Sequence, residues 1–317
     1  MPVAVPSPRT HTPRTPDSAA PRFEVIGAPS APLVVALGGI SATKHVCANS
    51  LDNAPGWWDG VVGPGKPIDT NRFRVLSIDY VDKGTDARGR PLREVTTHDQ
   101  ADALAAALDH IGAARVHAVV GASYGGMVAL AFAERYARRL ERLVVIGAAH
   151  TAHPMTTARR AVQRRIVEMG LDTGRATEAL ALARALAMTT YRSATEFAER
   201  FTGGPDAASR AFPVEGYLDH HGAKFAAAWE PARFLALSLS SDLHSVDPAS
   251  ISVPTTLLAI EDDGIVPPEQ MKQLAARLGG SVGLHLLPSR NGHDAFLTQP
   301  DTIGPALAAA LESGARQ

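Results

Sequence analysis

Short apolar runs bounded by turn residues alternate along the chain with longer, alanine-rich stretches. Nearly every position in these runs is apolar, as expected for strands that are buried on both faces of a sheet. The runs predict strands at 32–37, 73–79, 116–120, 143–146, 255–260 and 284–287. Helical patterns lie between them at 99–111, 125–136, 268–278 and 303–311. This alternation is typical of an α/β fold in which helices flank a mostly parallel sheet.

One long segment, residues 151–247, departs from this alternation. It has helical patterns, many charged residues including clustered arginines, and no convincing strand. An unstructured loop of this length would be unusual inside a compact domain, so we interpret the segment as an inserted helical cap. The core domain is then formed by residues 23–150 together with residues 248–317.

The composition favours a globular protein that acts on small molecules. The 317 residues are 45% hydrophobic and 20% charged, which is enough to bury a large core. With 31 basic and 32 acidic residues the formal net charge is -1, so we expect no nucleic-acid partner and no basic membrane-binding patch. Cys47 is the only cysteine, which excludes an internal disulfide, and no zinc-like spacing of ligands occurs, so we expect no metal site.

Residues 1–22 are rich in proline and contain no apolar segment of the length that a signal peptide needs. We interpret them as a disordered tail. No uninterrupted apolar stretch elsewhere approaches the roughly 20 residues that cross a bilayer. These features predict a cytoplasmic protein that does not associate with membranes.

The predicted strand at 116–120 runs into the segment Gly121-Ala122-Ser123-Tyr124-Gly125, which fits the pattern G-x-S-x-G. In this motif a nucleophilic serine lies on a strained turn between a strand and a helix, where larger side chains two positions away would collide. A glycine-rich turn that binds phosphate, as in dinucleotide-binding folds, is the alternative. The third glycine is wrongly placed for that alternative, and no acidic residue follows at the usual interval. Ser123 is therefore a candidate nucleophile.

A serine becomes an effective nucleophile when a histidine, oriented by a carboxylate, takes its proton. In α/β-hydrolase folds these partners follow the serine along the chain in the order acid, then histidine. Asp263 follows the predicted strand at 255–260, and His293 follows the last predicted strand in a glycine-containing loop. Glu261 and Asp262 are alternative orienting acids, although Asp263 is favoured because it lies closest to the prolines that begin the next helix. The sequence thus predicts a catalytic triad.

An acyl-transfer site also needs donors for the oxyanion that develops on the attacked carbonyl. One donor is expected from the backbone N–H of Tyr124, directly after the serine, and the other from Gly39, in the loop after the first core strand. A plain tight turn explains the pair Gly38-Gly39 equally well.

Further motifs are spread over nearly the whole chain from about residue 31. Besides the serine segment, they include Gly56-Trp57-Trp58, Thr190-Tyr191-Arg192-Ser193, Gly216-Tyr217-Leu218-Asp219 and Gly292-His293-Asp294-Ala295-Phe296. In these motifs the chain resembles the homoserine O-acyltransferases of methionine biosynthesis, an α/β-hydrolase family with acetyl- and succinyl-transferring members. The resemblance implies an α/β-hydrolase fold with a cap, no permanently bound cofactor, acyl-CoA as co-substrate, and a homodimer formed through the cap.

The resemblance implies Ser123 as nucleophile, His293 as base and Asp263 as the residue that orients the base. It also implies that Arg192 and Asp294 bind the amino-acid substrate. This agrees with their chemistry, because a guanidinium binds an α-carboxylate and a carboxylate binds an α-ammonium. Without the resemblance, Arg192 would be interpreted as a surface residue of a cap helix and Asp294 as a helix cap.

Two features separate this sequence from the acetyl-transferring members of that family. Tyr124 stands where those members usually have methionine, and the segment 80–86 lacks their asparagine and their glycine-rich segment. The segments 147–154 and 242–248 are more similar to the succinyl-transferring branch. We therefore expect succinyl transfer from succinyl-CoA to L-homoserine, with acetyl-CoA as donor or serine as acceptor as the alternatives.

A succinyl donor would need a cation for its free carboxylate, and Arg159 and Arg160 of the cap are candidates. A carboxylic ester hydrolase with the same triad is a competing interpretation. A catalytically inactive binding protein is a second competing interpretation. The absence of a triad residue would support it, but all three triad residues are present in the sequence.

Overall fold

The computed structural model describes residues 21–312, so the predicted tail at 1–22 lies almost entirely outside the described part of the chain. A seven-stranded sheet forms the centre of the described part. Its strands, in spatial order, are β1 (Phe23–Ile26), β5 (Arg74–Ile78), β2 (Leu33–Leu37), β6 (Ala118–Ala122), β7 (Leu143–Ile146), β8 (Thr255–Ile260) and β9 (Val282–Leu287). β1 pairs antiparallel with β5, and the other neighbours in the sheet are parallel. The short strands β3 (Val62–Gly63) and β4 (Ile68–Asp69) form a separate pair.

Helices flank both faces of the sheet, as the sequence predicts. They are α1 (Thr97–His110), α2 (Tyr124–Tyr136), α8 (Pro268–Arg277), α9 (Ala295–Thr298) and α10 (Pro300–Glu312). The predicted α/β fold is confirmed, and the six predicted strands are all present with small shifts at their ends. Among the described residues, no helix combines the length and the apolar character needed to cross a membrane.

The side chains of the inner strands are buried on both faces because each face carries its own helical layer. In β2, Val35 and Leu37 pack with α1 and α2 on one face, whereas Val34 and Ala36 pack with α10 on the other. Successive side chains of a strand point to opposite faces, so a strand covered on both sides must be apolar throughout.

The edge strands depart from the prediction. β1 was not predicted, and only one of its four residues is buried, so its apolar pattern is weak. β9 was predicted correctly but is not buried on both faces, because Leu284 and Leu286 are 38% and 48% exposed. The expectation of a fully buried strand is therefore wrong for β9. It is the last strand of the described sheet and has a neighbour on one side only.

Between β7 and β8 the chain forms α3 (Pro154–Asp172), α4 (Ala176–Tyr191), α5 (Ala194–Arg200), α6 (Pro213–Ala228) and α7 (Pro231–Asp242). α4 packs against α3 and α6, and these helices share an apolar cluster that includes Leu180 and Phe225. α7 returns to the core, where Leu237 joins the main hydrophobic cluster. The entry and exit of this helical segment lie side by side, joined by a β-bridge between Thr151 and Ser245.

The parallel strands bring distant parts of the sequence together at one edge of the sheet. The carboxyl ends of parallel neighbours lie on the same side, and ligands of open α/β sheets bind there. The segments that follow β2, β6, β8 and β9 carry Gly39, Ser123, Asp263 and His293 respectively. The candidate site is therefore at the carboxyl edge.

Candidate active site

Ser123 lies between the end of β6 and the start of α2, with φ 54° and ψ -122°. A positive φ is costly for a residue with a side chain and persists where the surrounding structure holds it. A Cβ on Gly121 would lie 2.2 Å from the carbonyl oxygen of Gly125, and a Cβ on Gly125 would lie 2.3 Å from that of Leu37. Because these neighbours are backbone atoms, they have no room to move aside, and both positions require glycine.

The imidazole of His293 lies between the hydroxyl of Ser123 and the carboxylate of Asp263. Its Nε2 is 2.7 Å from Ser123 Oγ, and its Nδ1 is 2.7 Å from Asp263 Oδ2. An ionised carboxylate only accepts hydrogen bonds, so Nδ1 carries the proton that is donated to Asp263. Nε2 is then left to accept the hydrogen bond of the serine O–H. The three side chains have the arrangement of a nucleophile, a base and an orienting acid.

Asp263 is held by the turn that follows β8. Its second oxygen, Oδ1, accepts hydrogen bonds from the backbone N–H groups of Ile265 and Val266, each at 2.8 Å. Asp263 is buried, whereas Glu261 and Asp262 are exposed. Of these three neighbouring acids, the structure brings only Asp263 to the imidazole.

Opposing effects act on the pKa of His293. Burial of the imidazole acts to lower it, but the negative charge and the hydrogen bond of Asp263 outweigh burial, so the pKa of His293 lies above its ordinary value of 6.5. The charge of Asp294 acts in the same direction as that of Asp263. The imidazolium formed when the base takes a proton is therefore stabilised, which eases removal of the serine proton.

The two expected oxyanion donors border the space above the serine. Tyr124 and Gly39 both line the cavity that contains Ser123. Within residues 21–312, neither backbone N–H has a hydrogen-bond acceptor. Both groups are therefore available to a negatively charged oxygen near Ser123, as an oxyanion hole requires.

The cavity lies between the carboxyl edge of the sheet and helices α3, α4 and α7, and has a volume of about 190 Å³. Its wall combines aromatic rings, including those of Trp57, Tyr191 and Phe296, with the guanidinium groups of Arg159, Arg160 and Arg184. In the described part of the chain, no group of three or more His, Cys, Asp or Glu side chains is placed to hold a metal ion. The wall suits an organic substrate that carries negative charge.

Arg192 and Asp294, the expected substrate-binding residues, contact each other. Arg192 Nε lies 3.2 Å from Asp294 Oδ2, and Arg192 Nη1 lies 3.7 Å from Glu196 Oε2. Asp294 lines the cavity directly after His293. Burial raises the pKa of Asp294 above its ordinary value, although the positive charge of Arg192 acts in the opposite direction. Arg192 and Asp294 therefore form an ion pair whose carboxylate directly follows His293 in the chain. Glu196 was not identified by sequence analysis.

The arginines of α3 and α4 differ in their partners. Arg160 and Arg164 both contact Asp242, each at 2.6 Å, so two cations share one aspartate. Arg159 donates to a backbone carbonyl at 3.0 Å. Arg184 stacks on two aromatic rings, at 5.1 and 4.9 Å, and has no carboxylate partner within residues 21–312. Sequence analysis did not identify Arg184, because it lies in an alanine-rich helix without a motif.

The chain matches the family model of the α/β-hydrolase fold over residues 32–300. It is 43% identical over 294 residues to homoserine O-succinyltransferase of Xanthomonas campestris pv. campestris, covering 92% of this chain and 79% of the relative. It is 33% identical over 324 residues to serine O-succinyltransferase of Frateuria aurantia, covering 88% of each. The solved homoserine O-acetyltransferase of Bacillus anthracis shares the fold, with a TM-score of 0.81 at 19% identity over 92% of this chain and 91% of that chain. The chain belongs to the family of homoserine and serine O-acyltransferases within the α/β-hydrolase fold.

Proposed function

We propose that this protein moves a succinyl group from succinyl-CoA to the hydroxyl of L-homoserine, through an acyl-enzyme formed on Ser123. The observation that carries the proposal is the hydrogen-bonded chain from Asp263 through His293 to Ser123 in the cavity. The choice of donor and acceptor is supported by 43% identity to a relative that bears the name homoserine O-succinyltransferase. The reaction belongs to methionine biosynthesis, and acyl-CoA enters as a co-substrate with no permanently bound cofactor.

In the first half-reaction His293 takes the proton of the Ser123 hydroxyl through Nε2, and Oγ attacks the thioester carbonyl. The backbone N–H groups of Tyr124 and Gly39 donate to the oxyanion of the tetrahedral intermediate. When the carbon–sulfur bond breaks, His293 returns the proton to the leaving thiolate and CoA departs. The serine then carries the succinyl group as an ester.

In the second half-reaction L-homoserine binds through its charged groups. Its α-carboxylate pairs with Arg192 and its α-ammonium with Asp294, so each side chain exchanges its present partner for a substrate charge. Because Asp294 directly follows His293 in the chain, an ammonium held there keeps the substrate hydroxyl close to Nε2. His293 then deprotonates this hydroxyl as it attacks the ester, and returns the proton to Ser123 Oγ when the bond between Oγ and the succinyl carbon breaks. An oriented alcohol has a large effective molarity, which favours transfer over hydrolysis.

The free carboxylate of a succinyl group needs a cation in the cavity wall, and we assign this role to Arg160. Arg160 lines the cavity, and its Nη2 lies 2.6 Å from Asp242 Oδ1. Because Arg164 shares the same aspartate, the three side chains keep an excess positive charge. A bound carboxylate would offset this charge.

The test combines pure protein with succinyl-CoA or acetyl-CoA, each with L-homoserine or L-serine, and follows the release of free thiol. The pair of succinyl-CoA and L-homoserine should react fastest, and a different best pair would identify an acetyltransferase or a serine acyltransferase instead. Ser123→Ala should abolish the mass shift of the acyl-enzyme. An ester hydrolase would cleave p-nitrophenyl esters equally fast with and without homoserine, whereas a transferase would be accelerated and would acylate the amino acid.

We further propose that residues 151–247 act as a cap over a core formed by residues 23–150 and 248–317. The cavity wall supplied by α3, α4 and α7 supports this division. A cytoplasmic location belongs to the same proposal, because cytoplasmic metabolism supplies the acyl-CoA donor.

A homodimer formed through the cap completes the proposal. Met155, Val162 and Met169 of α3 are 55%, 48% and 68% exposed. Residues seven apart lie on one face of a helix, so these side chains form an apolar stripe on the outside of the cap. Light scattering should give the mass of two chains, and Val162→Glu should reduce it to that of one; a monomeric native protein would contradict the proposal.

A further inference from the structure

The second expected oxyanion donor, the N–H of Gly39, belongs to a peptide unit whose carbonyl accepts two hydrogen bonds. The N–H of Gly39 and the C=O of Gly38 are parts of one planar trans peptide, and they point in opposite directions. The Gly38 oxygen accepts one hydrogen bond from the hydroxyl of Tyr80, at 2.6 Å, and one from the backbone N–H of Gly125, at 2.8 Å. The groups that hold the Gly38 carbonyl therefore set the direction of the Gly39 N–H on the other side.

Tyr80 is itself firmly placed. It follows β5 and is 2% exposed. The next residue, Val81, exchanges two hydrogen bonds of 2.8 Å with the side-chain amide of Gln100 in α1, which anchors the chain at this point. Burial raises the pKa of Tyr80 well above its ordinary value, so the hydroxyl keeps its proton and remains a donor.

The rings of Tyr80 and Tyr124 connect the two oxyanion donors. They pack edge to face, with centroids 4.9 Å apart and an interplanar angle of 85°. Tyr124 provides the first donor through its backbone N–H, and its hydroxyl lies 2.7 Å from Ser240 Oγ in α7. Tyr80 therefore contacts the residue that directly follows the nucleophile.

We propose that Tyr80 is a positioning residue for acyl transfer, whose hydroxyl holds the Gly38–Gly39 peptide so that the Gly39 N–H is directed at the oxyanion. The inference rests on the proposed function, since it assumes that Ser123 attacks a carbonyl. A single hydrogen bond leaves a peptide plane free to rock, whereas two bonds from different directions restrict it. Bonds accepted by the carbonyl also polarise the peptide and strengthen its N–H as a donor.

Tyr80→Phe tests this role, because it removes the hydroxyl and keeps the ring. We expect kcat and kcat/KM for succinyl-CoA to fall together by roughly tenfold, which is less than the loss of about 10²- to 10³-fold for a whole oxyanion donor, because Gly125 still holds the carbonyl. KM should not change, since the interaction is made in the transition state. The matched control is Tyr136→Phe, which loses a 2.8 Å hydrogen bond to Asp102 at the far end of α2 and should keep full activity.

The proposal is overturned if Tyr80→Phe keeps the kcat of the native protein within a factor of two, or if its loss is confined to KM. The pH profile of kcat/KM must also stay where it is, because the His293–Asp263 pair is untouched; a shifted profile would indicate general damage to the site and would likewise overturn the proposal. A failure of the proposed function differs from both outcomes, since the native protein would then release no thiol from succinyl-CoA with L-homoserine.

A second route covers the case in which Tyr80→Phe folds poorly. Site-specific replacement of Tyr80 by 3-fluorotyrosine keeps the side-chain shape and makes the hydroxyl a stronger hydrogen-bond donor. The rate of acylation in a single turnover should rise at unchanged KM. A rate equal to that of the native protein would overturn the proposal.

Discussion

Asp263→Asn should inactivate the protein by relocating the proton on His293, and the contacts of Asp263 explain why. Its Oδ1 accepts hydrogen bonds from the backbone N–H groups of Ile265 and Val266 at 2.8 Å each. In the variant only the amide oxygen can accept these bonds, so the NH2 group replaces Oδ2 and faces Nδ1 of His293, 2.7 Å away. Nδ1 must then accept a hydrogen bond from this NH2 group, so the ring proton of His293 moves to Nε2. A protonated Nε2 cannot take the proton of Ser123.

The expected loss of activity is large. In serine proteases of the trypsin type, the corresponding substitution lowers kcat about 10⁴-fold while the geometry is kept, which corresponds to about 5 kcal/mol in the barrier. We expect a similar loss here because the contacts around the acid select the wrong tautomer in the same way. The variant also lacks the negative charge that raises the pKa of His293, so the acid limb of any residual activity should move to lower pH.

Thiol release from succinyl-CoA in the presence of L-homoserine measures kcat, and rapid mixing without the amino acid isolates acylation. Asp262→Asn is the matched control, since it removes the charge of the adjacent, exposed carboxylate and should leave kcat unchanged. Equal melting temperatures for the two variants would show that the fold is intact. The reasoning is refuted if Asp263→Asn keeps more than a tenth of the native kcat, or if Asp262→Asn is equally impaired.

Three further outcomes follow from the same contacts. Because the pKa of His293 is raised, kcat/KM should fall as the pH drops through a midpoint above 6.5, and a midpoint of this acid limb below 6.5 would contradict the prediction. Gly125→Ala places a Cβ 2.3 Å from a backbone oxygen, so urea unfolding should show that the free energy of unfolding falls by about 1–3 kcal/mol. Gly216→Ala, which has open space around its Cβ, should not lower the free energy of unfolding. Arg160→Gln should lower kcat/KM for succinyl-CoA by roughly tenfold and spare acetyl-CoA, while Arg165→Gln, on the exposed side of α3, should affect neither donor.

The serine turn could be predicted from the sequence because its requirements are local. The glycines two positions before and after Ser123 are needed by backbone contacts within the turn and with β2, and the strand and helix beside them have clear patterns. The acid could not be chosen with equal certainty. Glu261, Asp262 and Asp263 are consecutive, and only the turn that donates two N–H groups to Asp263 determines which of them reaches the imidazole.

The support of the proposed oxyanion hole could not be predicted, because it depends on the order of strands in the sheet. Tyr80 reaches a carbonyl 42 residues earlier in the chain. The contact exists because β5 lies next to β2, although two other strands separate them in the sequence. A hydrophobic pattern locates each strand but does not say which strands are neighbours. For the same reason Tyr80 carries no motif that would mark it.

Under the proposed role of Arg192 and Asp294 in acceptor binding, their ion pair accounts for the preference of a mostly buried site for a charged acceptor. Each side chain is 14% exposed, so the Asp294 carboxylate would be disfavoured without Arg192, whereas Arg192 would keep the more distant Glu196, at 3.7 Å. Removing one partner from a buried pair costs about 3–5 kcal/mol. L-Homoserine carries one charge of each sign, so it replaces the internal contact with two new ones and leaves no charge unpaired. Water and simple alcohols carry neither charge, and an acceptor that carries only a carboxylate would draw Arg192 away and leave Asp294 uncompensated. The proposed preference for an amino acid therefore follows from the ion pair that Arg192 and Asp294 form in the empty site.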